Sequence, residues 1–287
     1  MKHEIENQNY IHGPIFILAS ERSGTNLLRR RLSEWQSVAY GPSPLHLLKH
    51  LYYAQPFYGD LTNKKVLNNF LKDALGLAYN HFSPWDVQFT EDDIIEWHKQ
   101  EWSGPFSAVS VMHAMNTLFA KNKGYKTYIC KDNNLFDFCY PIANEIPSSK
   151  FLYLYRDPRD VVASQLNRPI QTKSLAKLAT LWRDEQIKSI KAITSPMLKE
   201  HLTAHVSYED FVQDESETIK KVCTALNIGD STPVSKENVY SEENLDVHEW
   251  KNLNKPTTQA SLGRYKKQLK TRNIKLIENI VWHQMKY

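Results

Sequence analysis

Residues 14–26, Pro-Ile-Phe-Ile-Leu-Ala-Ser-Glu-Arg-Ser-Gly-Thr-Asn, join a short apolar run to a turn of small residues. The run from Ile15 to Ala19 predicts a strand buried on both faces, which is typical of a parallel sheet, and an amphipathic pattern predicts a helix from about Thr25. The turn between them holds one glycine, Gly24, and one cation, Arg22. Because backbone N–H groups and the positive end of the helix dipole meet at such a turn, we expect an anion site there.

This turn lacks the lysine of the common ATP- and GTP-binding loops. The pattern Gly-x-x-x-x-Gly-Lys-Ser/Thr occurs nowhere in the sequence. The stretch therefore predicts a phosphate-type loop that is built with arginine and is not suited to the usual ATP or GTP chemistry.

Strands and helices alternate along the rest of the chain. Apolar runs predict further strands at 124–131, 151–155 and 204–207, and amphipathic runs predict helices at about 174–193, 216–226 and 272–285. Residues 45–120 are predicted to be mostly helical, with breaks near Gly59, Ser83 and Gly104, and residues 229–260 to be a long surface loop. We expect one α/β domain over residues 1–287, three-layered (α/β/α) around a mostly parallel sheet, with a helical insertion at about 45–120.

Composition excludes several classes of function. The net charge of +4 is in keeping with anionic ligands but too small to predict nucleic-acid binding. The sequence contains no run of about 18 apolar residues, so we expect no membrane span. The polar N-terminal residues do not resemble a signal peptide. The three cysteines are sparse and have no metal-ligand spacing, which favours a reducing compartment, so we expect a cytoplasmic protein without a metal.

A second motif follows the strand at 151–155, in the stretch Tyr155-Arg-Asp-Pro-Arg-Asp-Val-Val-Ala-Ser-Gln-Leu-Asn-Arg168. Asp157 fits a helix N-cap, and Asp160 fits the acid of a capping box. Arg156 lies where the strand ends, and the spacing of Ser164 and Arg168 places both on one helical face. Two arginines and a hydroxyl can bind a second phosphate. The same residues are also compatible with an ordinary capped helix that carries surface arginines.

Three consecutive arginines, Arg29 to Arg31, occupy the helix that follows the first loop. Leu28, Leu32 and Trp35 define the apolar face of that helix, and the arginines fall mostly on its other faces. Since charge runs usually face water, we expect these three side chains to be solvated.

Two anion sites at the ends of two strands indicate a ligand with phosphates at both ends of a nucleoside. In their letters, order and separation, the two motifs resemble those of the sulfotransferases that use PAPS (3′-phosphoadenylyl sulfate). The resemblance is closest to the branch of protein-tyrosine and glycan sulfotransferases and their bacterial relatives. It implies a fold like that of P-loop NTPases and transfer of a sulfuryl group from PAPS to an acceptor hydroxyl by in-line displacement, with release of adenosine 3′,5′-bisphosphate.

The resemblance also implies roles for individual residues. The first loop would bind the 5′-phosphosulfate through Arg22, Ser23, Gly24, Thr25 and Asn26, and the second motif the 3′-phosphate through Arg156, Ser164 and Arg168. Lys131, in Ile-Cys-Lys-Asp, would stabilise the transferring group, and Tyr208 would lie near the nucleotide. The segment Ser-Leu-Gly-Arg-Tyr-Lys-Lys would close over PAPS through Ser261, Gly263, Arg264 and Lys266, with the serine at the reacting group.

The sequence departs from this branch at the general base. A glutamate that the branch carries after the first helix has no counterpart in residues 41–46, where His46 is the nearest titratable candidate. The acceptor stays open among sugar, phenol or tyrosine, lipid and small-alcohol hydroxyls, and so does the oligomeric state. Two other functions also stay open: a non-catalytic module that binds PAPS or another nucleotide, and a P-loop kinase-like transferase.

Overall fold

The computed structural model describes residues 12–36, 38–169, 171–229 and 253–283. In these ranges five parallel strands form one sheet in the order β2-β3-β1-β4-β5. The strands are β1 (Ile15–Leu18), β2 (Ala39–Tyr40), β3 (Thr127–Cys130), β4 (Lys150–Tyr155) and β5 (Thr203–Ser207). The same ranges hold α1 (Thr25–Glu34), α2 (Leu47–Ala54), α3 (Lys64–Tyr79), α4 (Glu91–Glu101), α5 (Ala108–Asn122), α6 (Cys139–Glu145), α7 (Pro158–Leu166), α8 (Leu175–Ile193), α9 (Tyr208–Gln213), α10 (Glu215–Ala225), α11 (Tyr265–Gln268) and α12 (Thr271–Val281).

The predicted α/β architecture with a parallel sheet is confirmed. All four residues of β1 are buried, and β1 pairs in parallel with β3 on one side and β4 on the other. The two-residue strand β2 is not in the prediction, because two residues show no periodicity. The strand predicted from Gly124 begins only at Thr127, since Gly124 has a φ of 79° and closes the C-terminal turn of α5.

Alternate residues of β1 supply two different cores. Phe16 and Leu18 belong to the apolar cluster that contains the buried residues of α2 to α5. Ile15 and Ile17 belong to the cluster formed with α1, α9 and α10 on the opposite face. The helices between residues 47 and 122 therefore cover one face of the sheet, and their breaks coincide with the predicted ones.

The expectation for Arg29, Arg30 and Arg31 is wrong. The Arg29 side chain is fully buried and its Nη1 donates to the carbonyl oxygen of Gly41. Arg30 is also buried and donates to Asn254 Oδ1, and Arg31 donates to the carbonyl oxygen of Lys255 over 2.8 Å. These arginines attach α1 to β2 and to the segment that begins at residue 253, and the helical pattern alone contains no signal for those distant partners.

Two predicted segments reach beyond the described residues. The terminal helix predicted to residue 285 is seen as α12, and residues 284–287 lie outside the described ranges. Most of the loop predicted at 229–260 also lies outside them. Within the described ranges no helix is long and apolar enough to cross a bilayer. The division into a single domain stays a prediction.

Candidate functional site

The loop between β1 and α1 has the geometry of an anion-binding turn. Arg22 and Gly24 both have left-handed backbone conformations, with φ of 69° and 94°, and Gly24 is the N-cap of α1. This places Ser23, Thr25 and Asn26 at the positive end of the helix. The Ser23 hydroxyl and Asn26 Oδ1 are buried and have no hydrogen-bond partner among the described residues. Since buried polar atoms normally find partners, both are suited to bind a ligand here.

Gly24 also allows a close approach of Tyr208 to the loop. A Cβ atom built at position 24 would lie 2.4 Å from two carbons of the Tyr208 ring. The ring of Tyr208 is buried at the start of α9, directly after β5. Glycine is therefore required here both by the positive φ and by the lack of space for a methyl group.

Arg156 connects three parts of the site. It leaves the C-terminal end of β4, beside β1 in the sheet, and its Nη1 donates to the carbonyl oxygen of Arg22 over 3.0 Å. Its Nη2 donates to the carbonyl oxygen of Ser261 over 3.0 Å, and its guanidinium lies 4.1 Å from the centre of the Tyr208 ring. The Nε of Arg156 is buried without a hydrogen-bond partner among the described residues. One side chain thus holds the loop, the C-terminal segment and an aromatic ring together.

Ser164 and Arg168 both contact the loop, although by different routes. Arg22 Nε donates to Ser164 Oγ over 3.2 Å. Helix α7 ends at Leu166, so Arg168 lies beyond its end and not one turn further along it as the spacing predicted. Its Nη1 lies 2.9 Å from Glu21 Oε2, in the loop itself. The second motif therefore lies against the first, with Glu21 as an acidic partner that the sequence analysis did not single out.

The segment from Ser261 to Lys266 is hydrogen-bonded to Tyr208 and to Asp160, next to the loop. Ser261 Oγ and the Tyr208 hydroxyl share a hydrogen bond of 2.8 Å. The Asp160 carboxylate accepts from the backbone N–H groups of Gly263 and Tyr265, over 2.7 and 2.9 Å. The capping-box role expected for Asp160 is therefore wrong, because its oxygens bind a segment about a hundred residues away. Arg264 and Lys266, predicted to bind the nucleotide, are exposed on this segment.

Lys131 lies at the end of β3, on the other side of β1 from Arg156. Its Nζ donates to Asn133 Oδ1 over 3.0 Å, and Asn133 Nδ2 donates to Glu21 Oε1 over 2.9 Å. Burial lowers the pKa of Lys131 to about 8, with nearby acids opposing the shift. At neutral pH the ammonium is still largely charged, so it can stabilise an anion at the loop.

His46 is held close to Lys131 but is tied into a structural network. Its backbone N–H donates to Asp132 Oδ1 over 2.9 Å, and its Nδ1 accepts from the Asn133 backbone N–H over 3.0 Å. Burial and the charge of Lys131 lower the pKa of His46 to about 4. The ring is therefore neutral at pH 7, and its Nδ1 lone pair already has a donor, which leaves the proton on Nε2.

The site thus unites residues from the ends of four neighbouring strands, β3, β1, β4 and β5, with the segment at 261–266. The cations Arg22, Arg156 and Lys131, the Ser23 hydroxyl and the positive end of α1 lie together at this loop, and they form a set of donors that fits phosphate or sulfate oxygens. Within the described ranges, no group of three or more His, Cys, Asp or Glu side chains is placed to hold a metal ion. Sequence reasoning missed Glu21, Asn133 and the true partner of Asp160, because each acts across more than a hundred residues or through a tertiary contact.

Comparison with known proteins identifies a family for the sequence and similar structures for the fold. A model of the sulfotransferase family matches residues 14–231. Among solved structures, the sulfotransferase domain of the olefin synthase from Synechococcus PCC 7002 has a TM-score of 0.55 at 19% identity, and 93% of this chain aligns with 94% of it. The sulfotransferase domain of the curacin biosynthetic pathway has a TM-score of 0.51 at 18% identity, with 93% of this chain and 97% of that domain covered. At these identities the two structures support the fold alone. A search among curated protein sequences found no match.

Proposed function

The chain belongs to the sulfotransferase family, and on this premise we propose that it moves the sulfuryl group of PAPS to an acceptor hydroxyl by in-line displacement. Adenosine 3′,5′-bisphosphate is the second product. The observation that carries the proposal is the position of Arg156, whose guanidinium bonds both to the loop at Arg22 and to the segment at Ser261. This contact brings the loop and the second motif together, so that one nucleotide with phosphates at both ends can bind to both of them.

In the proposed complex, the N–H groups of Ser23 to Asn26 and the side chains of Arg22 and Lys131 bind the 5′-phosphosulfate. Their positive charge stabilises the negative charge that grows on the leaving phosphate, and such preorganised electrostatics carry the catalysis of a loose transition state. Arg156, Ser164 and Arg168 bind the 3′-phosphate, while Tyr208, Ser261, Gly263, Arg264 and Lys266 enclose the nucleotide. Arg168 exchanges its contact with Glu21 for the phosphate.

The acceptor side of the proposed site lies on the face of the sheet covered by α2 to α5. In this insertion the buried Trp85 packs against Phe119 of α5 and lines a small cavity with Cys130 and Lys131 at the end of β3, and the buried Trp97 packs against His113 of α5. Aromatic walls suit both sugars and phenols, so the proposed acceptor is a hydroxyl of one of the classes named above. We propose that the reaction takes place in the cytoplasm and needs no metal.

The proposal is tested with PAPS labelled on sulfur and an extract of the native cell, with mass spectrometry to identify the labelled product. The wild type transfers the label, and Arg22→Ala and Arg156→Ala each lower transfer by at least about 100-fold, because each removes a charge-assisted contact to the donor. Arg183→Ala is the matched control, since Arg183 pairs with its neighbour Asp184 at the surface of α8.

Two results would contradict the proposal. Full transfer by both the Arg22→Ala and Arg156→Ala variants would show that the two linked anion sites do not bind the donor. Tight binding of PAPS without any labelled product would identify a nucleotide-binding module, and phosphoryl transfer from ATP in a parallel reaction without PAPS would identify a kinase.

A further inference from the structure

A buried chain of hydrogen bonds runs from the sheet through α8 to Ser20, which directly precedes the loop between β1 and α1. The Tyr153 hydroxyl, on β4, donates to Gln186 Oε1 over 2.6 Å, and Gln186 Nε2 donates to Ser20 Oγ over 2.6 Å. Glu185 directly precedes Gln186 on α8 and lies close to Ser20. Tyr153, Gln186 and Ser20 are all buried, whereas Glu185 is half-buried. The two hydrogen bonds fix α8 against β4 and against the loop, and they hold Glu185 near Ser20.

The same hydrogen bonds also place Glu185 on the face of the sheet that α2 to α5 cover. Tyr153 belongs to the apolar cluster that includes the insertion helices α2 to α5. Ser20 directly precedes the loop at the C-terminal end of β1. Glu185, next to Gln186 on α8, therefore lies at the loop, on the face from which the proposed acceptor enters, and its carboxylate oxygens can accept a hydrogen bond from the acceptor hydroxyl.

The charged groups around Glu185 come from three elements. The loop contributes Glu21, α8 contributes Lys188, and the short turn Leu135–Asp137 contributes Asp137, which pairs with Lys188 over 2.7 Å. Burial is the main effect on Glu185, and together with Glu21 and Asp137 it outweighs the opposing effects of Ser20 and Lys188, which raises the pKa of Glu185 to about 7. A carboxylate with a raised pKa accepts a proton more readily than an exposed carboxylate with an ordinary pKa.

We propose that Glu185 is the general base of the reaction, positioned by Ser20, Gln186 and Tyr153. The inference rests on the proposed function. As the acceptor oxygen forms its bond to sulfur, its proton moves to a Glu185 oxygen. The bond between sulfur and the 5′-phosphate oxygen breaks, and its electron pair leaves with adenosine 3′,5′-bisphosphate. His46 fills this role less well, because its Nδ1 lone pair accepts the Asn133 N–H.

The test compares Glu185→Gln with Asp184→Asn, the same change at the exposed neighbouring carboxylate, which pairs with Arg183. Transfer from labelled PAPS in the extract assay falls by about 100-fold or more in Glu185→Gln, as expected for loss of a general base. It is unchanged in Asp184→Asn and partly restored in Glu185→Asp. Both Glu185→Gln and Asp184→Asn bind adenosine 3′,5′-bisphosphate as well as the wild type in titration calorimetry.

Two readouts separate a base from a structural residue. In the wild type, kcat/KM for PAPS rises with pH up to about 7 as Glu185 loses its proton, and it falls above about 8 as Lys131 loses its own. Glu185→Gln loses the rise at low pH and keeps the fall. Calorimetry at pH 7 in buffers of different ionisation enthalpy shows proton uptake when the wild type binds the anionic bisphosphate, and the uptake is smaller in Glu185→Gln.

The outcomes distinguish the inference from the function on which it rests. If Glu185→Gln transfers label at the wild-type rate with the wild-type pH profile, Glu185 is not the base, while the sulfotransferase activity stands. Loss of bisphosphate binding in parallel with transfer would assign Glu185 a structural role. If the wild type itself neither binds the bisphosphate nor transfers label, the proposed function fails and the inference fails with it.

Discussion

At position 24 two requirements on a single residue coincide. The backbone is left-handed, with φ of 94°, and the Tyr208 ring occupies the space where a side chain would begin. The left-handed backbone determines the stability of the loop. The lack of a side chain allows the loop to contact the Tyr208 ring, against which Arg156 packs. Substitution of this glycine therefore probes both the anion-binding turn and its link to the rest of the site.

Gly24→Ala is expected to abolish binding of adenosine 3′,5′-bisphosphate in titration calorimetry and to lower the free energy of unfolding. Gly59→Ala is the matched control, because Gly59 has a φ of 91° but no atom within 4 Å of an added Cβ. In the control, the free energy of unfolding falls only by the cost of placing alanine in a left-handed backbone conformation, about 1–2 kcal/mol. Its binding of the bisphosphate is unchanged. Equal stability and equal binding in the two variants would show that the contact with Tyr208 has no consequence.

At the scale of elements, the parts of the site that precede a helix were predictable. The strand-turn-helix at residues 15–34 carries its own signals, since the apolar run, the glycine and the amphipathic pattern are all local. The N-cap Asp157, which accepts from the Arg159 N–H over 2.8 Å, was predictable for the same reason. Asp160, one turn later, was misassigned because its partners Gly263 and Tyr265 lie far along the chain.

Asp160→Asn tests whether α7 holds the segment at 261–266 over the proposed nucleotide site. An amide offers one accepting oxygen and turns a donor toward the second N–H, so we expect at least one of the two bonds to be lost. Hydrogen bonds to a charged group contribute about 1.5–3 kcal/mol each. Affinity for adenosine 3′,5′-bisphosphate should therefore fall by about 10-fold or more, and limited proteolysis should cut this segment sooner than in the wild type.

The control for this variant is again Asp184→Asn, whose carboxylate faces solvent. If Asp160→Asn keeps the wild-type affinity and the wild-type cleavage pattern, the two backbone bonds do not hold the segment. The three arginines of α1 show a related case of tertiary contacts overriding a local pattern. Arg30 and Arg31 bind Asn254 and the Lys255 carbonyl of this same C-terminal region, and a charge run that looked solvated is mostly buried.

At the scale of the whole molecule, the order of strands explains what sequence reasoning achieved. Parallel strands end at one edge of the sheet, so two motifs that each follow a buried strand had to lie near each other, and β1 and β4 are indeed neighbours. The hydrogen bond between Ser20 and Gln186 could not be predicted in this way, because 166 positions separate the two residues. A glutamine in an amphipathic helix also gives no sequence signal of a functional role. The fold was thus predictable from periodicity, whereas the partners within the site depend on tertiary packing, such as that of α8 against β4 and of α7 against the segment at 261–266.

The most direct test of the central claim, a site for a nucleotide with phosphates at both ends, is titration calorimetry of the wild type with three ligands. We expect adenosine 3′,5′-bisphosphate to bind about 10- to 100-fold more tightly than adenosine 5′-monophosphate, since the 3′-phosphate adds charge-assisted bonds to Arg156 and its neighbours. ATP should bind more weakly than the bisphosphate. Equal affinities for the bisphosphate and the monophosphate, or tighter binding of ATP, would contradict the account.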